Sequence, residues 1–128
     1  MNQFEQPIGP PIDGDLPTSA PSTAPMAGKW CSIEALDVGR HGLALAAAYD
    51  AAPDARGWTY LTVGPFDSTE AFVAWLTSVE ASVDPSYVVV SDAAGPCGIA
   101  AYMRIAPAAG SVEVGSIHFA PRLQRSAA

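Results

Sequence analysis

Basic residues are scarce in this chain. Six lysines and arginines stand against thirteen aspartates and glutamates, giving a formal charge of −7. Duplex DNA and RNA are bound largely by neutralising phosphates, so this balance argues against a nucleic-acid partner. Charged residues make up 15% of the chain and apolar residues 49%, which argues against a disordered chain and for a packed core. Cysteine occurs only at Cys31 and Cys97, with no CxxC spacing and no histidine cluster nearby. That removes any recognisable metal site and leaves two small buried hydrophobes in a reducing compartment. No apolar run reaches membrane-spanning length, and the N-terminus lacks the basic and apolar regions of a secretory signal. The expected location is therefore the cytoplasm, with no membrane partner. Internal repeats are absent. A length of 128 residues suits one domain with its own core.

Proline is concentrated at the start, with six of twelve lying between Met1 and Gly28 among small polar residues. Such a stretch cannot offset its ordering entropy by burial, and residues 1–27 read as an extended arm or linker. Phe4 and Ile8 are candidates to pin it to the domain. The domain proper begins at Gly28. Lys29 to Leu36 alternates as a strand, and Asp37 is placed to cap an alanine-rich helix over Val38 to Ala52. Val38, His41, Leu45, Ala48, Tyr49 and Ala52 share one face of that helix. Trp58 to Gly64 is an aromatic loop. Asp67 and Glu70 then form a capping box for a second helix, with Phe72, Trp75, Leu76 and Val79 at the i, i+3, i+4, i+7 positions.

Beyond Asp84-Pro85 the pattern turns extended. Tyr87 to Ser91 is β-branched, Asp92 to Gly95 is a tight turn, and Cys97 to Ile105 alternates. A second turn over Ala106 to Gly110 leads into the strand Ser111 to Phe119. Strand, helix, helix and three hairpin-linked strands make an α+β layout with an antiparallel sheet. The last strand breaks at Pro121 into a basic tail, Arg122-Leu-Gln-Arg125-Ser-Ala-Ala128. A strand running into small residues flanked by arginines is one way to prepare an anion site.

Taken together, these pieces resemble the GNAT superfamily of acyl-CoA-dependent N-acyltransferases, and its RimJ/RimL-like branch in particular. The resemblance rests on Asn2 to Gly9, Gly28-Lys-Trp-Cys-Ser-Ile-Glu-Ala-Leu-Asp37 with Arg40-His41, Trp58-Thr-Tyr-Leu, and Gly64-Pro-Phe. Gly98-Ile-Ala-Ala-Tyr-Met-Arg-Ile105, Val112-Glu-Val-Gly-Ser-Ile-His-Phe119 and Leu123-Gln-Arg-Ser126 complete it. It implies an N-acetyltransferase that moves an acetyl group from acetyl-CoA to a primary amine, without a metal. The acceptor is a small-molecule or peptide amine, such as a protein N-terminus. Residues 28–128 then correspond to the N-terminal portion of the family's domain, and the sequence reads as a truncated fragment.

The resemblance also implies roles for particular residues. Glu113 and His118 are the candidate proton acceptors, Glu113 at the start of the last strand and His118 beside the expected thioester. Ile117, His118 and Phe119 would meet the cofactor's pantetheine arm, and a backbone N–H among them would hold the oxyanion. Gln124, Arg125, Ser126 and Ala127 begin the pyrophosphate loop, with Ala127 standing where the family pattern (Q/R)xxGx(G/A) has glycine. Trp58, Tyr60 and Tyr102 would shape the acceptor site. His41 reads as a packing or capping residue. A second reading is a non-catalytic α+β module whose exposed last strand pairs with a partner, or with a second copy as a homodimer.

Overall fold

Alternating residues lie in strands and the 3.6-residue apolar stripes lie in helices throughout the computed structural model. It describes residues 1–10, 14 and 16–127; the arm's residues 11–13 and 15, and Ala128 at the end of the expected phosphate loop, lie outside the described residues. One antiparallel sheet carries its strands in chain order: β1 Met26–Ala27, β2 Ser32–Ala35, β3 Ser86–Asp92, β4 Gly95–Ala106 and β5 Ser111–Phe119. Helices α1 Val38–Asp50 and α2 Thr69–Val79 come between β2 and β3. The expected α+β architecture is therefore present, with one strand more than the sequence indicated. Met26 and Ala27, read as part of the arm, pair with Ile33 and Ser32 across a turn closed by the Gly28 N–H on the Cys31 carbonyl at 2.8 Å. The arm is tied down further along as well, where the Thr18 N–H donates to the Pro107 carbonyl at 3.0 Å.

Helix α1 starts as its residues dictate. Asp37 takes an extended backbone and its carboxylate accepts the Arg40 N–H at 3.0 Å. Glu80, at the far end of α2, accepts the Val38 N–H at 2.7 Å, so one helix helps cap the other. His41 is buried in this start. Its Nδ1 accepts the Asp37 N–H at 3.1 Å, and its Nε2 lies 3.1 Å from Glu34, which also holds Arg40. That is the capping role expected of it. Helix α2 is capped by Ser68, whose hydroxyl accepts the Ala71 N–H, and not by Asp67. Serine and aspartate cap about equally well, so adjacent candidates cannot be ranked from sequence.

The core lies between the helices and the sheet. Leu45 of α1, Leu76 of α2, Val89 of β3, and Cys97 and Ile99 of β4 are its largest fully buried side chains. After β5 the chain folds back onto β4. The Ala120 N–H reaches the Cys97 carbonyl at 2.8 Å, and Leu123 is buried. Arg122 meets both Asp92 oxygens and the carbonyls of Gly95 and Pro96, clamping the tail to the β3–β4 turn. Its guanidinium holds the Asp92 carboxyl below the usual value. Gly98 makes this fold-back feasible, because a Cβ there would come within 2.6 Å of the Phe119 ring. No helix of the described residues is long and apolar enough to cross a membrane.

Candidate active site

A cluster of rings connects the two helices to β5, and Trp58 is its hub. The connection between α1 and α2 makes a 3-10 turn at Arg56–Trp58, which turns the indole inward. Trp58 stacks on the His118 imidazole of β5, with centroids 3.8 Å apart and planes 23° from parallel. Tyr49, Phe66 and Phe72 meet the indole edge-on at 5.7, 5.4 and 6.3 Å. Tyr49 also stands edge-on to His118 at 4.4 Å, and its hydroxyl donates to the His118 carbonyl at 2.9 Å. Burial pushes the Tyr49 phenol well above its ordinary range, so it stays a donor.

His118 is only 7% exposed, and its Nδ1 is buried with no hydrogen-bond partner among the described residues. Desolvation lowers its pKa from 6.5, so the ring is neutral at pH 7. A neutral imidazole has one nitrogen that can accept a proton and one that donates, according to its tautomer. The same ring borders a small cavity of about 10 Å³ with Trp75, Ile99 and Ser116. On the ring's other nitrogen, Gly57 approaches so closely that a Cβ would lie 2.8 Å from Nε2. With Trp58 and Tyr49 also packed on it, the imidazole has little room to retreat. Gly57→Ala is therefore expected to cost about 1–3 kcal/mol in urea denaturation; an unchanged midpoint would mean the ring moves freely.

The backbone at His118 is also irregular. Ile99 pairs with His118 but Ala101 pairs with Gly115, so Ser116 and Ile117 together face Ala100, and Ser116 adopts φ +49. Such a bulge takes backbone groups out of the ladder and recurs beside active sites.

The sequence-derived candidates divide. Trp58 and His118 are in contact, with Ile117 and Phe119 flanking the latter on β5. Glu113 lies five residues away, on the order of 15 Å along the strand. It is exposed and bound to Arg104 at 2.8 Å. Tyr60 is 97% exposed. Tyr102 instead borders a cavity under the arm, with Ala20, Pro21 and Tyr87. Beyond β5, Gln124 donates to the Phe119 carbonyl at 2.8 Å, and the Ser126 hydroxyl donates to the Leu123 carbonyl at 2.6 Å. Arg125 is exposed at φ +59 and Ala127 is exposed beside it. Sequence reasoning passed over Gly57 and a cleft between the helices, which Tyr49, Asp50, Asp54 and Asp67 line with Trp58, Phe66 and Phe72. Regular spacing flagged Tyr49 only as a helix-face residue. No group of three or more His, Cys, Asp or Glu among the described residues is placed to hold a metal ion.

Known structures share this fold. A GCN5-related N-acetyltransferase from Brucella melitensis is 33% identical over 89% of this chain, with a TM-score of 0.81. A probable GNAT-family acetyltransferase from Chromobacterium violaceum is 30% identical over 95% of it, with a TM-score of 0.78. A structure described as a putative acetyltransferase, 18% identical with a TM-score of 0.61, shares the fold alone. The chain spans 52% and 62% of the lengths of the first two. No protein-family model and no curated protein matches it. The fold is thus the GNAT acetyltransferase fold, over about half of those relatives' length.

Proposed function

We propose that this chain belongs to the GNAT superfamily, in its RimJ/RimL-like branch, and serves in acetyl transfer from acetyl-CoA to a primary amine. The fold shared with acetyltransferases at 30% identity and above supports the coarse reading. The observation that carries the chemistry is the buried, partnerless Nδ1 of His118 beside the β5 bulge.

The residues present fit acetyl-CoA in kind. The outer edge of β5 offers backbone groups at 117–119 for an amide-bearing arm, and Arg125 is an exposed cation for phosphate. Acetyl-CoA would supply a thioester whose acetyl carbon bonds to the amine nitrogen as the carbon–sulfur bond breaks and the sulfur leaves as the CoA thiolate, which regains a proton to become the thiol. His118 would take the proton the amine must lose, since a buried neutral imidazole holds no competing proton at pH 7. Tyr49, by bonding the His118 carbonyl, fixes this part of β5 in place. Backbone N–H groups freed by the bulge would face the carbonyl oxygen as negative charge develops on it.

CoA-thiol release should be measured on the protein as its own cells express it, with a panel of primary amines. We expect amine-dependent release that drops roughly 100-fold or more in His118→Gln. Release absent with every amine would overturn the proposal, and full activity in the variant would remove His118 from it. One observation favours the second reading, association through β5: this outer strand exposes Val112, Val114 and Ile117. A dimer by light scattering that Val114→Lys dissolves would support it.

A further inference from the structure

A neutral imidazole carries one proton, so the buried Nδ1 of His118 either donates or accepts, and Nε2 does the reverse. Nδ1 has no partner among the described residues, yet His118 lines a cavity of about 10 Å³ with the hydroxyl-bearing Ser116 and Thr62. Gly57 lies against Nε2 and is not among that cavity's walls, so the ring turns its Nδ1 edge toward it. The volume is that of one water and excludes a larger ligand. Neither hydroxyl bonds the ring directly, and a buried water needs polar neighbours of this kind.

The direction of such a bridge is set at its far end. The bulge holds Ser116 at φ +49, and its hydroxyl donates to the Met103 sulfur at 3.8 Å. Gly115 permits that approach, because a Cβ there would lie 2.7 Å from the sulfur. A thioether only accepts, so the Ser116 proton is committed and its oxygen offers lone pairs. A water bonded to that oxygen donates to it, and the water's own oxygen is left to accept from Nδ1–H.

We infer that one water in this cavity joins Ser116 to His118 and fixes the imidazole as the Nδ1–H tautomer, leaving Nε2 to accept a proton. Ser116 and Met103 are then positioning residues, acting on the reaction only through the ring. Gly57 fits the same assignment, since a Cβ there would stand 2.8 Å from Nε2 and close off the accepting nitrogen. The use of Nε2 as the base rests on the acyltransferase reading above, whereas the tautomer is measured without it.

The test is a long-range proton–nitrogen NMR spectrum of the 15N-labelled protein as its own cells express it, at pH 7.5. Protonated and bare imidazole nitrogens resonate far apart, and the His118 pair is the one lost in His118→Phe. Nδ1–H should prevail by at least about ten-fold, with a cross-relaxation peak from its proton to water. Ser116→Ala should shift the tautomer ratio toward Nε2–H by about five-fold, the worth of one hydrogen bond. Met103→Leu, close in volume, frees the Ser116 proton and should move the ratio the same way. In the CoA-release assay Ser116→Ala should lower kcat several-fold and leave the KM for acetyl-CoA within about two-fold. A wild type dominated by Nε2–H, no water peak, or a ratio indifferent to both substitutions would overturn the inference even with CoA release intact. The expected tautomer and its shifts, with no release from any amine, would support the bridge and overturn the acyltransferase reading alone.

Discussion

Trp58→Ala is expected to destabilise the protein by about 3 kcal/mol, the low end for removing a large aromatic from a core. The indole is half-buried, yet it touches His118, Tyr49, Phe66 and Phe72 at once, and these come from β5, α1, the connecting loop and α2. Nothing else in this region meets all four, so its loss opens a cavity that no single neighbour can fill. A fall of roughly 10 °C in the thermal midpoint is the expected reading. Tyr60→Ala provides the contrast. It lies two residues away in the same loop but is 97% exposed, and its change should be within about 0.5 kcal/mol. A loss under about 1 kcal/mol for Trp58→Ala would show that the ring cluster is ornament to the core around Leu45 and Leu76.

That contrast marks how far the sequence could be read. Trp58 and Tyr60 stand in one aromatic loop, and composition treats them alike. What separates them is the 3-10 turn at Arg56–Trp58, a local geometry with no periodic signature. The strands over Ser86–Asp92 and Ser111–Phe119 and both helices were legible because burial imposes periods of 2 and 3.6. Met26–Ala27 was not, since a two-residue strand is too short to alternate and lies in proline-rich sequence. The candidate site was legible where one strand carries it. Ile117, His118 and Phe119 are adjacent in sequence and stay adjacent in space. The cleft was not, because Asp50 and Asp67 are separated by a loop whose path the sequence does not encode in any simple pattern. Arg122 shows the converse. Its place in a basic tail suggested an anion site, but Asp92 and two carbonyls already occupy it.

His118→Phe should change how stability depends on pH, and the sign follows from burial. Desolvation lowers the imidazole's pKa in the folded protein, while the unfolded chain keeps a value near 6.5. Between those two values the unfolded state binds more protons, so folding stability falls as pH drops below about 6.5 and is flat in this group above pH 7. The slope for one proton reaches about 1.4 kcal/mol per pH unit. Asp92 acts lower: its carboxyl is depressed by Arg122 from 3.8, so its contribution is present above that value and lost only as pH falls through the folded one. Urea denaturation of wild type and His118→Phe between pH 5 and 7 isolates the histidine, because every other group is common to both. A phenyl ring keeps the stack on Trp58 and needs no partner where Nδ1 now has none, so the variant should match or exceed wild type at pH 5. The same proton sets the reaction's acid limb. As the imidazole fills with its own proton, the His118-dependent part of amine-driven CoA release should be lost, on top of the fall in neutral amine that wild type and variant share. Parallel stability curves for the two proteins would show that His118 does not carry the buried neutral ring on which the proposed chemistry depends.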